Sequence, residues 1–183
     1  MDGSIELKSK VGVGTTVIVK IPFKIGTQDE NSNLSDKSVS LDDYSVEGMR
    51  ALVVEDNELN MEIARCILEE SGMEVTCAAD GKEAVEIFEK SEPDYFGVIY
   101  MDIMMPRLNG LDAARTIREM QRRDARRIPI IAISANSFAE DIINSRLAGM
   151  NVHLAKPLDA EKMIVALKQC MTDNRDIKLH EDL

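Results

Sequence analysis

No stretch of this 183-residue chain is apolar for long enough to cross a bilayer. Its first residues, "MDGSIELKSK", have neither the basic start nor the apolar core of a secretory signal, so a cytoplasmic location is expected, with no membrane contact by this segment. Cysteine is scarce. Cys66, Cys77 and Cys170 lie far apart, with no CxxC pair and no zinc-ligating histidine spacing, which predicts reduced core thiols. The two histidines, His153 and His180, have no ligand-like companions. Basic excess is missing as well: 22 Lys and Arg against 33 Asp and Glu give a formal charge of −11, which argues against nucleic-acid binding.

The charge and composition that are present divide the chain into four parts. Residues 1–26 carry net +2, residues 27–48 −5, residues 49–172 −6 and residues 173–183 −2. Residues 27–48, rich in Ser, Asn and Asp without sustained periodicity, read as a linker, and 173–183 as a polar, frayed tail. Residues 49–172 fall in the range of about 100–150 residues usual for one compact domain.

From Met49 the chain repeats a short apolar strand, a polar turn and an amphipathic helix five times. The strands are "RALVVED", "EVTCAA", "FGVIYMD", "IPIIAIS" and "NVHLA". The first helix is expected over about Asn57–Ser71, with Leu59, Ile63, Ile67 and Leu68 on one face and Gly72 as a left-handed cap. Asp80 and Glu83 have capping-box spacing ahead of the second helix. The third is expected from Leu111 to Arg122, with Arg122, Arg123, Arg126 and Arg127 at its solvated end. The fourth runs through Ile142 and Leu147 to Gly149, and the fifth places Met163, Ile164, Leu167 and Met171 inward. Such alternation predicts an α/β fold: a five-stranded, parallel, doubly wound sheet with helices on both faces.

In such sheets ligands bind beyond the carboxyl ends of the strands, near the switch in strand order. There stand Glu55 and Asp56, then Asp102, Ser134, and Lys156 before Pro157. Three converging carboxylates repel one another by about 1–4 kcal/mol per close pair across effective dielectrics of 80 to 20. Lys156 offsets part of this, and Mg²⁺, a hard cation that takes oxygen ligands and accompanies phosphate, suits the rest. A carboxylate can act as nucleophile toward phosphorus and give an acyl phosphate. Lys156 would neutralise the transferring group and the Ser134 hydroxyl would bond one of its oxygens. Pro106 and Gly110 turn the chain after Asp102 so that backbone N–H groups face the same pocket. Met101, Met104 and Met105 read as core and loop packing.

"LVVEDNELN", "YMDIMMPRLNG", "IIAISAN" and "HLAKPLD" resemble, in order and spacing, the motifs of the receiver domain of two-component signalling proteins. The flavodoxin-like receiver fold is thereby implied for residues 49–172. The resemblance also implies phosphorylation of Asp102, Mg²⁺ ligation by Asp56, Asp102 and the Met104 carbonyl with Glu55 acting through water, and pairing of Lys156 with the phosphate. A cis peptide before Pro157 is implied as well. Ser134 stands where Thr is commoner, and His153 occupies the switch position that usually carries Tyr or Phe; an imidazole can rotate there but buries less and can titrate.

"GSIELKSKVGVGTTVIVKIPF" reads as a hairpin, and isolated hairpins are marginal in water. Through Ser9, Gly12, Gly14 and Thr15 it resembles the closing strands of the ATP-binding domain of sensor histidine kinases. Together the two resemblances imply the C-terminal part of a hybrid histidine kinase. The chain holds no kinase catalytic motifs, so kinase activity would belong to the parent. The implied partners are a phosphohistidine donor domain and a histidine phosphotransfer protein; exposed hairpin edges also allow a dimer. A regulatory module switched by phosphorylation without onward transfer is the alternative. The short loops disfavour a hydrolase, and the lack of a DNA-binding output domain after Thr172 disfavours a transcription factor.

Overall fold

The computed structural model describes residues 3–10, 12, 14–21, 45–135 and 138–181, with side chains up to Thr172 in the last helix. Two units separate, Met1–Ser40 and Leu41–Leu183. In the first, β1 (Ser4–Lys10) and β2 (Gly14–Lys20) form an antiparallel hairpin. Its turn uses Gly12 and Gly14 at φ of +79° and +129°, open only to residues without a Cβ penalty. Alternation sorts the hairpin: Ile5 pairs with Val19 and Leu7 with Val17, leaving Lys8 and Lys20 on the other side. The expected linker lies outside the described residues as far as residue 44. Val46 is buried in the core of the second unit, and Gly48 N–H donates to the Gly72 carbonyl at 2.7 Å.

The second unit follows the strand–helix alternation. In chain order it comprises β3 (Arg50–Val54), α1 (Glu58–Glu70), β4 (Glu74–Ala78), α2 (Gly81–Lys90), β5 (Val98–Asp102) and α3 (Gly110–Glu119). It closes with β6 (Ile130–Ser134), α4 (Ala139–Leu147), β7 (Val152–Ala155) and α5 (Ala160–Glu181). The strands pair in parallel in the order β4-β3-β5-β6-β7. Strand periodicity divides the core: Leu52, Val54, Ile99, Met101, Ile130 and Ala132 face α2 and α3. Ala51, Val53, Val98, Tyr100, Ile131 and Ile133 face α1 and α5. Tyr100 is fully buried; its hydroxyl donates to the Met163 carbonyl at 3.0 Å, and burial pushes its pKa well above the ordinary phenol value.

Several caps match their expected chemistry. Asn57 accepts from the Leu59 and Asn60 N–H groups, and Gly72 takes φ of +85°. Asp80 accepts from Glu83 N–H at 2.9 Å, while the Glu83 carboxylate reaches back to Ala79 N–H at 2.7 Å, one residue beyond the usual box partner.

Four expectations are corrected. Of the face expected on α1, Leu68 is buried and Ile67 packs half-buried on the core, joined by Ala64, while Leu59 is 70% exposed and Ile63 43% exposed: the apolar arc is wider than the face the sheet covers. Cys66 is exposed and Cys77 only half-buried, so Cys170 alone of the three is a core thiol. The polar 173–183 segment, which lacks glycine and proline, continues α5 to Glu181 instead of fraying there.

The fourth concerns the arginines. α3 ends at Glu119 because Met120 is extended, and Arg122, only 14% exposed, turns back onto the end of α2. Its guanidinium donates to the carbonyls of Phe88, Ser91 and Glu92, to both Asp124 carboxylate oxygens, and lies 4.3 Å over the Phe88 ring. It therefore neutralises the C-terminal dipole of a different helix from the one that carries it. Arg122→Ala is expected to lower stability by about 2 kcal/mol, read as a urea midpoint shift at constant slope. The hydrogen bond from Arg122 holds the Asp124 carboxyl below its ordinary value of 3.8. The stability it contributes is present above that value and lost as pH falls through the lower folded one; the variant should lose this acid dependence. An unchanged midpoint would refute the assignment.

Candidate functional site

Strand β3 has β4 on one side and β5 on the other, so the chain reverses its direction of travel across the sheet between β3 and β5. The crevice at that switch opens beyond the carboxyl ends of these two strands, where Glu55, Asp56 and Asp102 stand. Each of the three carboxylates offers an oxygen within 4.8 Å of the others'. Glu55 and Asp102 are buried and Asp56 is exposed, which leaves the cluster one solvent-facing side.

Lys156 closes the cluster from the far side of the sheet. Its Nζ donates to Asp102 Oδ2 at 2.6 Å and to Glu55 Oε2 and Oε1 at 2.7 and 3.0 Å. Burial alone would pull the ammonium's pKa down, but the hydrogen bonds with Asp102 and Glu55 outweigh it, and the value stands above the ordinary lysine one. The backbone places the side chain: Lys156 N–H donates to the Ser134 carbonyl at 2.8 Å, and the Lys156–Pro157 peptide is cis. Ser134 is buried at the end of β6, whose Ile133 is the register partner of Asp102.

The loop after Asp102 is built around that carboxylate. Met104 N–H donates to Asp102 Oδ1 at 3.0 Å, so each oxygen of Asp102 holds a donor. Gly110 N–H closes the loop onto the Ile103 carbonyl at 3.0 Å. A Cβ on Gly110 would collide with the Asp102 carbonyl, which is why glycine stands there. Met101 and Met105 are buried as expected, but Met104 is 75% exposed, its backbone alone turned to use.

His153 is half-buried on β7, its Nδ1 3.3 Å from Ser145 Oγ. The seven singled-out residues thus occupy one sheet edge, except His153, which sits lower on β7. Sequence reasoning missed two contributors. Asn60 Nδ2 donates to Glu55 Oε1 at 2.9 Å, a bond from the first turn of α1 back to the end of β3 that helix periodicity does not single out. Asp80 ion-pairs with Arg107 of the loop, a contact between segments distant in sequence that no local pattern announces.

Chemically the cluster is a set of hard oxygen donors with one ammonium, which fits Mg²⁺ and a phosphoryl group better than a soft metal. Fold and site together define a doubly wound α/β domain with an acidic mouth at its switch point. The model of the response regulator receiver domain matches residues 51–168, and the chain belongs to that family.

Relatives and solved structures agree. A probable histidine kinase of rice is 36% identical over 137 residues, 69% of this chain but 13% of that protein. The polar-differentiation response regulator DivK of Brucella ovis is 32% identical, covering 67% of this chain and 95% of DivK. The receiver domain of a sensor histidine kinase from Pseudomonas aeruginosa, solved with magnesium in its active-site cleft, is 37% identical with a TM-score of 0.61. That match covers 68% of this chain and 98% of that one. The chain therefore spans only 13% of the length of the rice histidine kinase it matches. Among the described residues no helix is long and apolar enough to cross a membrane.

Proposed function

We propose that Asp102 accepts a phosphoryl group from a phosphohistidine and passes it to a histidine phosphotransfer partner, as one step of a relay within a hybrid histidine kinase. The convergence of Asp102 with Lys156, Glu55 and Asp56 is the observation that carries this reading. An Asp102 carboxylate oxygen attacks phosphorus; the phosphorus–nitrogen bond breaks, and the imidazole leaves with its electron pair to take up a proton. The product is an acyl phosphate. No base is needed, since the carboxylate is ionised at neutral pH.

Asp56, Asp102 and the Met104 carbonyl would hold Mg²⁺, with Glu55 acting through water; when bound, the ion neutralises charge on the phosphoryl oxygens. Lys156 already bridges Asp102 and Glu55, and its ammonium can shift to pair with an oxygen of the transferred phosphoryl group. The Ser134 hydroxyl donates to another phosphoryl oxygen. His153, at the switch position, adjusts as Ser134 moves.

Residues 1–26 serve as the closing hairpin of the kinase's ATP-binding domain, 27–48 as the linker, 49–172 as the receiver and 173–183 as a polar extension. The location that fits such a relay is the cytoplasm.

Incubation with a small-molecule phosphodonor such as acetyl phosphate tests the reading, followed by intact mass and a phosphate-affinity gel. A phosphate-sized gain that needs Mg²⁺ and is labile in base is expected. A folded protein that gains no phosphate from any donor would remove the proposal.

A further inference from the structure

The loop that follows Asp102 is tied to the second helix by contacts that the acidic cluster does not require. Asp80 is almost completely buried, and its two carboxylate oxygens have separate tasks. Oδ1 caps α2 by accepting from Glu83 N–H at 2.9 Å, while Oδ2 ion-pairs with the Arg107 guanidinium. Arg107 adopts φ of +66°, a left-handed backbone that a non-glycine residue takes at a cost. Beside it, Gly81 N–H donates to the Leu108 carbonyl at 3.2 Å. A Cβ on Gly81 would stand 2.5 Å from that carbonyl oxygen and 2.9 Å from Ala113 Cβ, so α2 begins directly against the loop.

Met104 is on the opposite limb of the same loop. Its side chain is exposed and anchors nothing, so the place of its N–H and carbonyl is set by the loop as a whole. Met105 plugs the loop into the apolar core, but apolar packing is non-directional. A charge-assisted bond to a buried, helix-capping carboxylate fixes orientation as well as depth.

We propose that the Asp80–Arg107 ion pair is a positioning device for phosphoryl acceptance: it holds the loop so that the Met104 backbone faces Asp102. The proposal rests on the receiver reading above, because it assigns the Met104 carbonyl to Mg²⁺. Neither residue touches the reacting atoms; both act through the loop.

The full chain would be compared with Arg107→Ala, Arg107→Gly, Arg107→Lys and Asp80→Asn. Asparagine keeps an oxygen to cap α2 but loses the charge. Glycine keeps the left-handed backbone at no cost but loses the guanidinium. The readouts are Mg²⁺ affinity by calorimetry, hydrogen exchange of the Met104 amide in metal-free protein, and the initial rate of phosphorylation by acetyl phosphate. Arg107→Ala, Arg107→Gly and Asp80→Asn should each weaken Mg²⁺ binding by about three- to tenfold and speed Met104 exchange. Arg107→Lys should recover much of the loss. Wild-type affinity in Arg107→Gly would overturn the proposal, since the backbone and not the ion pair would then matter. Unchanged Met104 exchange in Arg107→Ala and Asp80→Asn would overturn it too. A wild-type protein that binds no Mg²⁺ overturns the receiver reading together with this one, and that failure appears in the wild-type arm alone.

Discussion

Asp102→Asn is expected to abolish covalent phosphate uptake, with a fall of more than about a thousandfold in initial rate, because the amide nitrogen and oxygen are poor nucleophiles toward phosphorus. The fold should survive. The amide oxygen can still accept from Met104 N–H, which Asp102 Oδ1 now does at 3.0 Å, and Lys156 keeps Glu55 as a partner at 2.7 Å. Intact mass after incubation with acetyl phosphate and Mg²⁺ checks the result, with circular dichroism to show that the variant is folded. A phosphate-sized gain in the folded variant would place the acceptor elsewhere. Asp56, the exposed member of the cluster, would be the residue to substitute next.

Lys156→Ala should have the second largest effect, and it should depend on metal. Without its ammonium, buried Glu55 and Asp102 face each other uncompensated, a loss of about 3 kcal/mol by the usual cost of breaking a buried ion pair. Mg²⁺ supplies the missing charge, so urea midpoints measured with and without Mg²⁺ should differ more for the variant than for the wild type. Equal midpoints for variant and wild type in metal-free buffer would sink the idea.

The pH dependence carries a definite sign. Burial opposes the charged form of Lys156, but hydrogen bonds with Asp102 and Glu55 raise its folded pKa above the ordinary 10.5. The stability these bonds contribute is therefore complete below 10.5 and lost as pH rises through the higher folded value. Wild-type stability should fall more steeply than the variant's in that alkaline window, as denaturation at a series of pH values would show.

Much of this was legible without coordinates because strand and helix periodicities differ and alternate along the chain. Once "FGVIYMD" is a buried parallel strand, the rule for open α/β sheets places Asp102 at its mouth, and the same reasoning brings Glu55, Asp56, Ser134 and Lys156 to one edge. The Asp80 cap was legible because capping is a local bond over two or three residues. Burial around α1 was not. Periodicity finds an apolar face, but how much of it is covered depends on neighbours, and here Leu59 and Ile63 extend past the sheet's cover.

Arg122 shows the same limit from the polar side. Four arginines near a helix end read as solvated charge, yet one folds back to bind the carbonyls of residues about 30 positions earlier, because α2 and α3 pack side by side. The sequence by itself determined the strand–helix order and the identity of the acidic cluster, since these follow from periodicity and residue type. Only the tertiary structure decided which carboxylate oxygen meets Lys156, that Asn60 supports Glu55, and that Arg107 reaches Asp80. The Lys156 and Arg107 contacts join segments remote in the chain, while Asn60 reaches Glu55 across the short turn between β3 and α1; in each case the geometry is set by how the elements pack on the sheet.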